Sequence, residues 1–190
     1  AYLMLELQNH GKELLSRFDD VSLWVIDGGG SPQRTVVDFA ANVRSSIGFN
    51  GNVLTLFGRS SRGYRPSRVG NRKIKVYENC HVVIESRQCR WGLFNADYWR
   101  EQAQRGWLGA FGAAGSIDLY RGHHHEFADQ ICREKLRAKN LVGDKMIWLW
   151  DTLPGAHDFG DCMTMGFVGA AICNIGTGSV VKTKKKRKAS

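Results

Sequence analysis

Two aspartates in this 190-residue chain stand where a sequence can place carboxylate chemistry. Asp27 closes the apolar, β-branched run Val21–Ile26 and is followed at once by Gly28, Gly29 and Gly30. A carboxylate at the carboxyl end of a sheet strand lies where open α/β folds bind ligands, and the glycines let backbone and substrate come close. It can offer oxygen to a divalent cation, although an aspartate closing a turn is the plainer reading of the same residue. Asp161 belongs to the stretch Asp158-Phe159-Gly160-Asp161-Cys162, which leads into Met163, Met165, Phe167, Val168 and Ala171. Aspartates three residues apart near a helix start share one face and can accept the terminal N–H groups. Capping suits Asp158, while Asp161, on a helix anchored in the core, can be held rigidly enough to share a metal with Asp27.

Magnesium and manganese take oxygen ligands, and a pair of such ions held by carboxylates can activate water and stabilise the leaving oxygen of a phosphodiester. The expected catalytic pair is Asp27 and Asp161, the expected metal ligands are Asp27, Asp161 and Asp158, and the expected cofactor is two Mg²⁺ or Mn²⁺ ions. The other metal-ligating residue types are less persuasive. His123, His124 and His125 are consecutive and point in different directions, and the five cysteines form no CxxC pair. An odd number of cysteines fits free thiols in a reducing compartment better than a disulfide framework. Gly28-Gly29-Gly30 is neither GxGxxG nor GxxxxGK[ST], so no ATP site is visible.

Lys and Arg total 27 against 18 Asp and Glu, a net charge of +9 that suits a polyanionic partner. Much of it lies between Gly58 and Lys75, where Arg59, Arg62, Arg65, Arg68, Arg72, Lys73 and Lys75 occur with no acidic residue. This segment reads as a cationic loop for a phosphate backbone, or as a solvated loop. A second basic block, residues 182–190, reads as a disordered tail able to bind nucleic acid or to act as a targeting signal.

These residues need a scaffold, and 43% hydrophobic content is enough for one core. Helical periodicity marks Tyr2–Phe18, and Ser31-Pro32 opens a helix with Val36, Val37, Phe39, Ala40 and Val43 on its packing face. Strands are expected at Val21–Ile26, Asn52–Phe57, Ile74–Tyr77, His81–Ile84, Gly92–Asn95, Ile117–Tyr120 and Met146–Trp150. Helices are expected at Asp97–Gly106, His125–Ala138 and Phe159–Cys173, with a small-residue linker over Ala110–Gly115. The alternation predicts an α/β sheet with helical cover. Residues 1–181 are expected to form a single domain. No run approaches the roughly 18 apolar residues of a membrane span, and no secretion signal is visible. The tryptophans could include a base-stacking platform, but aromatic residues more often anchor a core or an interface.

Around these carboxylates the chain resembles the C-terminal nuclease domain of phage terminase large subunits, particularly the lambda-like group. Val25-Ile26-Asp27-Gly28-Gly29, with the following Thr35-Val36-Val37-Asp38-Phe39, is similar to the family's strand-end Asp and next helix. Asn95-Ala96-Asp97-Tyr98-Trp99-Arg100 resembles its Asn-Thr-Asp segment, and Ile117–Tyr120 with Arg133-Glu134-Lys135-Leu136 resembles its strand before a Glu-Lys helix. Ala156-His157-Asp158-Phe159-Gly160-Asp161-Cys162 resembles the closing Asn-His-x-x-Asp-Cys element, with the histidine one position farther from the aspartate. The likeness runs in order from about Leu14 to Ile175.

The resemblance implies a ribonuclease H-like fold, with a mixed central sheet and flanking helices. It implies a metal-dependent endonuclease that cuts double-stranded viral DNA during genome packaging, in the cytoplasm of an infected host cell. By the same likeness Asp27 is the second acidic ligand and Asp161 the last, and the partners are an ATPase domain, a small terminase subunit and a portal protein, with no membrane. The family's first catalytic Asp lies on a strand ahead of the segment corresponding to Ala1–Phe18. Asp19 and Asp20 fall at a helix end or turn, so that first strand is expected to be lacking. A truncated domain, a fragment of a longer polypeptide and a relative with reduced or lost activity all stand open. A catalytically incomplete nucleic-acid-binding or assembly module on a nuclease scaffold is the alternative function, and a strand-transfer enzyme of the same broad fold is a third.

Overall fold

The computed structural model describes residues 23–29, 33–46, 52–65, 73–85, 89–113 and 115–173. The expected helix at Tyr2–Phe18, the Ser31-Pro32 helix opening, Arg68, Arg72 and the basic tail lie outside the described residues.

The architecture is α/β. Strands β1 (Leu23–Asp27), β2 (Asn52–Arg59), β3 (Lys73–Tyr77), β4 (Cys80–Ile84) and β5 (Arg90–Asn95) form a five-stranded sheet in the order β1-β2-β5-β4-β3. β1, β2 and β5 are parallel, whereas β3, β4 and β5 form an antiparallel meander, so the sheet is mixed. The helices are α1 (Gln33–Ser46), α2 (Ala96–Leu108), α3 (His125–Cys132) and α4 (Asp158–Ile172). A separate antiparallel hairpin pairs β6 (Glu134–Val142) with β7 (Lys145–Thr152).

β2 explains the layering. Its residues Val53, Leu54, Thr55, Leu56 and Phe57 are all at most 4% exposed, so both faces of the strand are covered. Alternation sends Leu54 and Leu56 into a core with Phe94, Trp99, Met165, Val168 and Ala171, beneath α2 and α4. Phe57 faces the other way, into a cluster with Val37 of α1, Val83 and Trp91. α4 packs on β1 where Gly169 faces Val25 and Leu23. Among the described residues no helix is long and apolar enough to cross a membrane.

Three expectations need correction. The helix expected over His125–Ala138 stops at Cys132, and Glu134 begins a strand. Glu134 and Leu136 turn inward and Leu136 pairs with Trp150, so cross-strand packing overrides the helical propensity of this stretch. Ile117–Tyr120 is not a strand; Ile117 donates its N–H to the Gly106 carbonyl at the end of α2 (2.9 Å) instead of to a sheet. The basic segment is not a loop at its two ends, because β2 runs on to Arg59 and β3 already begins at Lys73.

The hairpin is fastened to α2 by Glu101, which is 6% exposed. Its carboxylate accepts Lys139 Nζ (2.8 Å), Trp148 Nε1 (2.6 Å) and Arg105 Nη2 (2.8 Å). Burial opposes ionisation of Glu101, but the bonds from Lys139 and Trp148 outweigh it and hold the carboxyl below the ordinary value of 4.5. A depressed carboxyl contributes stability in full above 4.5, and this is lost as pH falls through the folded-state value. Glu101→Gln should therefore lower stability at neutral pH by roughly 1 to 3 kcal/mol in urea unfolding. The gap from wild type should close below pH 4.5, and equal stability at neutral pH would show that Glu101 does not fasten the hairpin.

Candidate active site

Asp27 is placed by the β1–β2 ladder. The Gly28 N–H donates to the Leu56 carbonyl at 2.8 Å, carrying the parallel pairing one residue past Asp27. The Gly29 N–H then donates to Asp27 Oδ1 at 2.8 Å, so the chain turns away beneath its own carboxylate. Gly28 is needed for its size, because a Cβ there would stand 2.3 Å from the Phe57 ring and 2.8 Å from the Leu56 oxygen.

Asp161 comes from the first turn of α4. Asp158 and Asp161 both stand there, where carboxylates favour the positive end of the helix. The His157 side chain at the cap position makes no capping bond, while its carbonyl accepts the Gly160 N–H at 2.9 Å. Asp161 turns instead toward Arg100 of α2, with Nη2 to Oδ1 at 3.2 Å, while His157 Nδ1 lies 3.5 Å from Oδ2.

Asp27 and Asp161, far apart in sequence, line one cleft of about 300 Å³. Gly29, Arg59, Ser60, Asp97 and Arg100 line it as well. Its floor is the carboxyl end of parallel strands β1 and β2, the position from which open α/β sheets bind ligands. Asp97, 6% exposed, accepts the Ser61 N–H at 2.6 Å and so locks the chain leaving β2 onto the start of α2. Asn95 caps that helix by accepting the Tyr98 N–H.

Behind the cleft, Arg100 Nε also reaches Glu134 Oε2 at 3.1 Å. Glu134 is 9% exposed, and burial pushes its carboxyl above the usual range; Arg100 counters that rise, and nearby Asp161 adds to it.

Asp158 is exposed and does not line the cleft. Of the seven basic candidates, Arg59 lines it, and Arg62 and Arg65 lie on the turn that follows. Lys73 and Lys75 belong to β3 at the far edge of the sheet, where Lys75 lines a separate cavity with Leu23, Tyr77 and Arg90. Three tryptophans serve as anchors: Trp91 packs edge-on against Phe57, Trp99 is 2% exposed, and Trp148 holds the hairpin. Sequence reasoning missed Arg100 and Glu134 as a pair. Asp97 and Arg100 are three apart on one helix, a legible spacing, but Glu134 gave no local signal because it reads as helical.

Whether these residues suit a divalent cation turns on their chemistry. Asp27, Asp97 and Asp161 offer the cleft oxygen donors only, which fits a hard cation such as magnesium or manganese. Among the described residues no three His, Cys, Asp or Glu side chains already stand close enough to enclose an ion. Comparison with protein-family models, curated proteins and solved structures gives no match.

Gly28→Ala should cost about 1 to 3 kcal/mol of stability through overpacking against Phe57. Thermal unfolding reads this directly, and an unchanged midpoint would mean that the tight ladder end does not fix Asp27.

Proposed function

We propose that this chain is a metal-dependent endonuclease domain that cuts double-stranded DNA, built on a ribonuclease H-like fold. One observation carries the reading: the two aspartates singled out by local sequence line the same cleft at the carboxyl ends of parallel strands. The likeness to the terminase nuclease domain supports the same reading and extends it to cutting viral DNA during packaging in an infected host cell. It also supplies the proposed partners, namely an ATPase domain, a small terminase subunit and a portal protein.

Asp27 and Asp161 would hold Mg²⁺ or Mn²⁺, and Asp97 stands near enough to the cleft to join them once its bond to Ser61 is shared. A divalent cation, when bound, polarises the scissile phosphate and favours ionisation of the attacking water. Arg59, on the cleft wall, faces the phosphate backbone as a fixed positive charge. Water adds to phosphorus, one bridging P–O bond breaks, and the leaving oxygen takes up a proton. Gly29 leaves room at the Asp27 lip for the backbone to approach.

The second reading is a nucleic-acid-binding or assembly module on a catalytically incomplete scaffold. It is favoured by the +9 charge, which suits a polyanionic partner without calling on a metal.

Cleavage of supercoiled plasmid separates the two. With Mn²⁺ at fixed salt the 190-residue chain should nick or linearise plasmid, and chelator, Asp27→Ala or Asp161→Ala should abolish cutting. DNA binding that weakens with salt but yields no cleavage would support the scaffold. Neither binding nor cutting would overturn both.

A further inference from the structure

We propose that Arg100 is an internal counter-cation for Asp161, exchanged for a divalent metal when one binds, and that buried Glu134 is the anchor that retains the guanidinium during the exchange. The inference rests on the proposed role of Asp161 as a metal ligand.

Its basis is an asymmetric three-membered cluster. Arg100 donates from one terminal nitrogen to Asp161 at 3.2 Å, while its Nε stands 3.1 Å from Glu134 Oε2 as a charge contact without hydrogen-bond geometry. The Asp161 side chain is 33% exposed and lines the cleft, whereas that of Glu134 is 9% exposed and does not. One positive charge therefore serves two carboxylates, one open to an arriving cation and one closed to it. A carboxylate that accepts a guanidinium has less charge to offer a metal, so the two cations compete for Asp161.

The scaffold keeps Glu134 in place. The Glu134 carbonyl accepts Gln104 Nε2 of α2 at 2.7 Å, which ties the first residue of β6 to the helix bearing Arg100. On α2 the flanking residues Trp99 and Ala103 are buried, so the Arg100 backbone is fixed and only its long side chain need move. When Asp161 turns to a metal, Arg100 and Glu134 are left as a neutral one-to-one pair. That leaves no unpaired charge inside the protein, and this is the condition under which a buried ion pair is tolerated.

The arrangement predicts effects of opposite sign on metal affinity. Glu134→Gln leaves Asp161 as the guanidinium's sole charged partner in the cluster and should weaken Mn²⁺ binding by on the order of tenfold. The double variant Arg100→Gln/Glu134→Gln removes the competitor without stranding a buried carboxylate, and should bind Mn²⁺ more tightly than wild type by a similar factor.

Mn²⁺ titration followed by electron paramagnetic resonance, on the full chain without DNA, reads both, with thermal unfolding to confirm that each variant is folded. Asp161→Asn is the reference. If wild type binds Mn²⁺ and Asp161→Asn does not, the metal role of Asp161 stands and the two variants test the exchange alone. Weaker binding in Glu134→Gln with tighter binding in the double variant supports it. Unchanged affinity in both, or weaker binding in both, overturns it and leaves Arg100 a purely structural cation. If wild type and Asp161→Asn bind equally or not at all, the metal reading of the cleft fails, and the exchange fails with it.

Discussion

Charge along one face of α2, buried at Asp97 and Glu101 and half-buried at Arg100, is the constraint from which the site follows. Asp97, Arg100 and Glu101 fall within five residues of that helix, and each is tied to a different part of the chain. Asp97 holds the turn after β2, Arg100 holds α4 and the first residue of β6, and Glu101 holds the hairpin. Side chains three and four apart share a helix face, so these attachments converge. A charge taken out of water is tolerated only with good partners, and leaving one unpaired is strongly destabilising. The same bonds that make α2 acceptable therefore fix where the cleft walls stand.

The sheet supplies the remaining wall by a different kind of force. β2 is buried on both faces, so a one-residue slip against β1 would turn Leu54 and Leu56 away from α2 and α4. Register is thus specified by apolar packing, and register decides that Asp27 ends opposite Leu56, at the strand tips. Asp27 owes its position to the hydrophobic effect, whereas Asp161 owes its orientation to Arg100. The two carboxylates of the cleft are positioned independently of each other.

This difference explains what could be read from the sequence. The five strands of the sheet and helices α2 and α4 were legible because apolar runs and 3.6-residue periodicity report burial directly, and Asp27 stands at the end of such a run. Asp161 was legible because it stands in the first turn of a helix rich in apolar residues. The strand at Glu134–Val142 was not, since its sequence is rich in helix formers and its alternation is masked by exposed Lys135 and Arg137 and broken by a register shift between Leu136 and Ala138. Its partner β7, with Trp148 and Trp150, decides the matter, and pairing between segments leaves no local trace. Glu134 was lost with that strand, and with it the recognition that Arg100 has two acidic partners.

The electrostatics of the cleft also bear on how its function can be incomplete without the fold being so. Asp27 is exposed and Asp97 satisfies a backbone N–H, so neither needs a metal for the protein to fold. Asp161 is neutralised from within by Arg100. A site built this way remains folded whether or not a cation occupies it, unlike one in which several carboxylates face each other across a dry cavity and repel until an ion arrives. Under the proposed exchange, metal affinity would depend on how readily Arg100 yields as well as on the number of acidic residues nearby. An active nuclease and a binding module on the same scaffold need differ only in that yielding and in whether another carboxylate joins Asp27 and Asp161.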